Sequence, residues 1–164
     1  MNSTTREKLW EIVAGHREGV LATIGDDGLP HLSNVYYIPD GQRAPVIRIS
    51  TTATRTKGRN LMREARAVLH VPGPNFFNFA VVEGQVGFAL AASPGDPAVD
   101  ELYAVYAAFN GEAERPMFDQ KMIRDRRMIV RIEVTRLYGL VHRDERRPRR
   151  PEGAAKEDGL GDRR

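Results

Sequence analysis

Most of this chain reads as short β-forming segments cut off by turn residues, and that punctuation limits the folds open to it. Residues 19–24 (GVLATI) are short, apolar and rich in β-formers, and residues 25–28 (GDDG) follow as an Asp-Gly turn whose residues tolerate positive φ. Residues 30–38 (PHLSNVYYI) then alternate, with Leu32, Asn34 and Tyr36 on one side and His31, Ser33, Val35 and Tyr37 on the other. Pro30 suits only the start of such a strand, because it has no N–H to give to a ladder. Pro39, Asp40 and Gly41 mark the next turn, and residues 44–51 (APVIRIST) a third strand. These three strands are expected to form an antiparallel meander.

Further strand signals follow, with clean alternation in residues 127–134. Residues 67–71 (AVLHV), 79–90 (FAVVEGQVGFAL), 127–134 (RMIVRIEV) and 137–141 all read as strands. Gly84 and Gly87 inside the long segment suggest a bulge of the kind that curves a sheet. Helical spacing appears in only a few places. Residues 5–14 carry Leu9, Ile12 and Val13 behind a Thr4/Glu7 capping box, and residues 55–64 form a second short helix. A third follows the Ser93–Pro97 turn, with Val99, Leu102, Val105, Tyr106 and Phe109 on its apolar face, and residues 118–124 add a further turn or two. About six antiparallel strands with a few helices predict a mainly β, α+β protein built on a small antiparallel barrel.

Composition narrows what such a barrel can do. The 164 residues contain no cysteine, which excludes disulfides, thiol catalysis and Cys-based metal sites and is compatible with a reducing, cytoplasmic setting. Four scattered histidines without paired spacing predict no metal site. The first residues, MNSTTREKLWEI, lack the apolar core of a signal peptide, and no run approaches the roughly 18–20 apolar residues of a membrane span. The net charge of +3 sits largely in residues 143–150 (RDERRPRR) and the final Arg163 and Arg164. Residues 142–164 hold almost no large apolar side chain and are expected to form a disordered tail behind a domain spanning 1–141. The folded part lacks the basic strand surface with exposed aromatics that a nucleic-acid-binding barrel needs. Hydrolytic triads, acidic pairs and glycine-rich nucleotide loops are also missing.

One stretch breaks the ordinary rules of charge. Residues 50–61 (STTATRTKGRNL) run from the end of a strand into a helix. Helix starts favour acidic residues, since their unpaired N–H groups carry partial positive charge. Here the start carries hydroxyls, Arg55, Lys57 and Arg59, with no acid before Glu64. A phosphate is the natural guest of such a turn. A solvated basic helix face is the other reading of the same residues.

Residues 20–34 (VLATIGDDGLPHLSN), 50–61, 66–71 (RAVLHV), 80–87 (AVVEGQVG) and 125–140 (DRRMIVRIEVTRLYGL) together resemble the pyridoxamine 5'-phosphate oxidase-like split-barrel family. They are most similar to its actinobacterial branch, the oxidoreductases that use the deazaflavin coenzyme F420. The resemblance implies a split barrel of the FMN-binding type, assembled as a homodimer with two cofactor clefts at the interface. It implies that the phosphate of F420, or of FMN as the alternative, sits on Ser50, Thr51, Arg55 and Lys57, with Asn60 supporting that loop. It implies that His31, Leu32, Ser33 and Asn34 run past the ring system, and that Phe77 and Phe79 of the partner subunit cover the cleft. The activity implied is hydride transfer between F420 and a small conjugated substrate. No side-chain nucleophile is expected; His31 is the one candidate proton donor. An FMN-dependent oxidoreductase and a non-catalytic flavin-binding protein are the alternatives.

Overall fold

The computed structural model describes residues 3–41 and 44–142. Of the expected 142–164 tail, His142 is described, its N–H donating to Asn78 Oδ1 at 2.6 Å, and residues 143–164 lie outside the described residues. Helix α1 (Ser3–Gly15) precedes strands β1 (Glu18–Ile24), β2 (Pro30–Tyr36), β3 (Ile38–Asp40) and β4 (Val46–Thr52). Helix α2 (Thr56–Arg63) leads to β5 (Arg66–Pro72) and β6 (Phe79–Leu90). Helices α3 (Pro97–Asn110) and α4 (Arg115–Arg124) come before the last strand, β7 (Arg127–Leu140).

All seven strands form one antiparallel sheet in the order β2-β1-β5-β6-β7-β4-β3. Its two edge strands are consecutive in the chain, and Tyr37 alone separates them. The sheet must therefore curl until its edges nearly meet, yet no ladder joins β2 to β3. This is a split barrel, mainly β with helical additions. Tyr37 anchors the seam. It is fully buried, its hydroxyl donates to Val13 O at 2.8 Å, and its N–H donates to Arg17 O at 2.9 Å. Burial pushes its phenol pKa well up.

Three expectations are corrected by the structure. The segment 30–38 is not one strand, because the chain leaves one sheet edge at Tyr36 and joins the other at Ile38. The meander also fails beyond its first hairpin. Strand β4 pairs with β3 and β7 rather than with β2. The two closing segments, 127–134 and 137–141, are one continuous strand.

The expected bulge falls between Glu83 and Gly84, where the β6–β7 register shifts. A Cβ at Gly84 would lie 2.2 Å from Glu133 O, so only glycine permits this approach of the two backbones. The core divides in two. One cluster fills the barrel and includes Leu21, Ile47, Ile49, Leu69, Val82, Met128 and Ile132, with Leu9 and Val13 of α1 closing one side. The other lies between α3, α4 and the outer sheet face, where Val99, Leu102, Val105, Phe118 and Met122 pack with Ile129.

Candidate functional site

Strand β4 ends at the start of α2, and the turn between them is held tightly. Arg55 N–H donates to Thr52 O at 3.2 Å, and Ala53 N–H donates to Arg126 O at 3.1 Å. Gly58 sits directly over the strand end; a Cβ there would lie 2.4 Å from Thr52 O. Arg55 is the N-cap, extended at φ −74° and ψ 153°, and no side chain caps the helix. The first turn contains no acid. Its leading N–H groups therefore have neither an intrahelical acceptor nor a carboxylate to meet them.

The β pleat decides which hydroxyl of the Ser-Thr pair faces outward. Ile47, Ile49 and Thr51 point into the core, whereas Ser50 faces the other way. Ser50 lines a cavity of about 550 Å³ together with Asn34, Arg55, Lys57 and Arg127. Thr51 is 2 % exposed, and its Oγ1 is buried without a hydrogen-bond partner on the core side. The far wall of the cavity is apolar and comes from α3 and α4, with Val105, Tyr106, Phe109 and Met122. Among the described residues, no acid lines it.

A second, shallower cavity of about 320 Å³ is lined by His31, Thr54, Arg55, Thr56, Lys57 and Arg59. It shares Arg55 and Lys57 with the first, and among the described residues no acid lines it either. A third, of about 330 Å³, lies beside Glu18, Val20 and Pro72 and offers no cation.

The cations differ in their ties. Lys57 Nζ reaches the main-chain oxygen of Asn34 at 3.4 Å. Loss of water pulls the Lys57 pKa below the ordinary lysine range, and the neighbouring Arg55 charge lowers it further. Arg59 is folded back onto Thr54 O and lies 3.4 Å from Thr56 Oγ1. Arg127 Nη1 lies 3.4 Å from Ser50 Oγ, while its Nε is buried with no partner. Among the described residues, no ion pair joins Arg55, Lys57, Arg59 or Arg127 to a carboxylate.

The remaining residues singled out in the sequence scatter around this centre. His31 borders the shallow cavity and has a buried Nδ1 without a partner. Ser33 Oγ is likewise buried and unpartnered, and Leu32 is 63 % exposed; neither lines these two cavities. Asn60 is buried beneath the turn, where its Nδ2 donates to Thr23 Oγ1 at 3.0 Å and ties α2 to β1. Phe77 and Phe79 lie away from both cavities of their own chain. Phe77 packs edge-on with Phe76 and His142, and Phe79 stacks on His70 at 5.6 Å. The α3–α4 wall was not legible as part of a site, since Val105, Tyr106 and Phe109 read as an ordinary packing face.

Among the described residues no cluster of three His, Asp or Glu could hold a metal, and no helix is long and apolar enough to cross a membrane. The family model described as pyridoxamine 5'-phosphate oxidase matches residues 5–140. A conserved hypothetical protein from Mycobacterium tuberculosis superposes with a TM-score of 0.62 at 27% identity, over 84% of this chain and 82% of its own. A solved F420 reductase superposes at 0.59 with 24% identity, over 78% of this chain and 94% of its own. A heme storage protein from Vibrio cholerae gives 0.60 at 13% identity, over 82% and 94%. At those last two identities the likeness is one of fold.

Proposed function

This chain belongs to the pyridoxamine 5'-phosphate oxidase family, and from that premise we propose that it is an oxidoreductase that binds coenzyme F420 and acts on a small conjugated organic substrate. The supporting observation is an uncapped, acid-free helix start whose Arg55 and Lys57 face a cavity that no carboxylate lines among the described residues. The donors present suit a phosphate: a hydroxyl at Ser50, a planar guanidinium at Arg55, a mobile ammonium at Lys57, and backbone N–H groups. Thr51 faces the core, so Ser50 is the hydroxyl of the pair available to such a guest.

The shallow cavity is the reason to prefer F420 over FMN. Its Thr54–Arg59 side extends the cationic surface past the phosphate site, while His31 of β2 lines it on the side given to the ring. F420 continues beyond its phosphate into an anionic lactate and glutamate chain, and FMN ends there. Hydride chemistry would come from the reduced deazaflavin when bound. The chain's own residues would bind, orient and exclude water. His31, Leu32, Ser33 and Asn34 would border the ring system, and the apolar side chains of α3 would keep one wall dry. Asn60 would support the anchor from below through Thr23. His31, with its unpartnered Nδ1, is the one candidate to pass a proton to substrate. In a homodimer, Phe77 and Phe79 from a second copy would cover a cleft that they leave open in their own chain.

Titration with F420 and with FMN, followed by coenzyme fluorescence, tests this assignment. F420 is expected to bind more tightly. Lys57→Ala should weaken it roughly tenfold to a hundredfold, the scale of one lost charge-assisted hydrogen bond, while circular dichroism stays unchanged. Unaltered affinity in Lys57→Ala removes the phosphate from this turn. Preference for FMN instead moves the protein to the FMN-dependent class. Tight F420 binding without oxidation of the reduced coenzyme by enones, quinones or tetrapyrroles leaves a binding protein rather than an enzyme.

A further inference from the structure

Three arginines share the outer face of the β4–β7 pair. The register sets Arg48 opposite Arg131 and Thr52 opposite Arg127, and alternate residues of a strand share a face. Ile129, between the two β7 arginines on this face, packs into the α3–α4 cluster, so the face is the one those helices cover. Two of the three arginines are neutralised there. Arg131 grips Glu101 of α3, with Nε 2.9 Å and 3.0 Å from its two carboxylate oxygens, and Arg48 Nε lies 3.1 Å from the same carboxylate.

Arg127 has no such partner. It is half-buried, its Nε is buried and makes no hydrogen bond, and among the described residues its guanidinium has one hydrogen-bond approach, to Ser50 Oγ at 3.4 Å. A guanidinium drawn out of water without a counter-charge is costly, and a ligand anion is the usual relief. Arg127 opens onto the larger cavity, whose other wall is the apolar surface of Tyr106, Phe109 and Met122.

We propose that Arg127 recognises the carboxylate of a second ligand whose flat apolar body lies against Tyr106 and Phe109. The class indicated is an aryl or alkenyl carboxylate. A planar guanidinium matches a carboxylate in two parallel hydrogen bonds, and the ring wall accepts a planar hydrocarbon. Its role as the acceptor-substrate site rests on the coenzyme reading above; its affinity for a carboxylate does not.

Calorimetry with trans-cinnamate and with its neutral isostere cinnamamide, on protein with and without bound coenzyme, tests the proposal. Wild type should prefer the acid roughly tenfold to a hundredfold. Arg127→Gln should abolish that preference and leave the F420 or FMN dissociation constant within about twofold, an effect too small to represent a lost charged contact. An Arg55→Ala/Lys57→Ala double variant, stripped of the proposed phosphate anchor, should keep the preference. In wild type, the Arg127 Nε–H resonance, assigned by its loss in Arg127→Lys, should move with cinnamate and not with cinnamamide. That measurement holds even if Arg127→Gln does not fold. Equal binding of acid and amide, a preference that survives Arg127→Gln, an unmoved Nε–H resonance, or a weakened coenzyme in Arg127→Gln each overturns the assignment. Failure of both flavins to bind, with the cinnamate preference intact, overturns the coenzyme reading alone.

Discussion

Lys57 of α2 reaches across to Asn34 of the edge strand β2, its Nζ 3.4 Å from the main-chain oxygen. The first turn of the helix is thereby tied to the open seam of the barrel, and a half-buried ammonium stands where an anion is expected.

That placement predicts a pH dependence. Loss of water, with the Arg55 charge behind it, holds the Lys57 pKa below its ordinary value of about 10.4. A bound phosphate anion favours the charged ammonium. Coenzyme affinity should therefore be full while Lys57 is protonated and decline as pH rises through the free protein's Lys57 pKa. Lys57→Arg should push the decline to higher pH. Titrations from neutrality to about pH 10 check this, and a flat profile in wild type would place the anion elsewhere.

Gly58→Ala should destabilise the fold although it adds a better helix former. The propensity gain is about 1 kcal/mol. The added Cβ would sit 2.4 Å from Thr52 O and 3.2 Å from Ala53 Cα, and a backbone clash has no rotamer to relieve it. Overpacking of this kind costs about 1–3 kcal/mol, so the clash is expected to win. The urea midpoint should fall, and coenzyme affinity should fall with it because the strand end and helix start must separate. A raised midpoint would show that the turn is looser than described.

Glu101→Gln should lower stability at neutral pH by about 1–2 kcal/mol, the value of charged hydrogen bonds discounted for partial exposure. The hydrogen bonds from Arg131 are the main reason that the Glu101 pKa lies below its ordinary value, with the Arg131 and Arg48 charges adding to them and burial opposing. A carboxylate depressed by folding contributes stability that is complete above its unfolded pKa, about 4.3, and is lost as pH falls through the folded value. Wild type and Glu101→Gln should therefore differ at neutrality and converge in acid. Denaturation midpoints across that range decide it; parallel curves would show that the carboxylate does not hold α3 to the sheet.

The local elements were largely legible, because each rests on neighbours in sequence. The alternation in residues 127–134 marked the first part of β7, and the Asp-Gly turn at 25–28 marked the β1–β2 hairpin. The split at Tyr37 was not legible, since residues on both sides of it alternate as one strand would; it appears only when the sheet curls and its edges become neighbours. The true partner of β4 was hidden for a related reason. Ser50 pairs with Ile129, and no local signal reports a contact at that separation.

The candidate site divides along the same line. The bases and hydroxyls of residues 50–59 and their place at a helix start were written in the chain, because composition and the polarity of a short helix are local properties. Tertiary structure decided which of those groups face one cavity. The pleat turned Ser50 toward it and Thr51 into the core, the β4–β7 register brought Arg127 to Ser50, and the packing of α3 and α4 on that face supplied the apolar wall. Each of these depends on strands far apart in sequence lying side by side, which burial of the whole sheet settles and no single segment can.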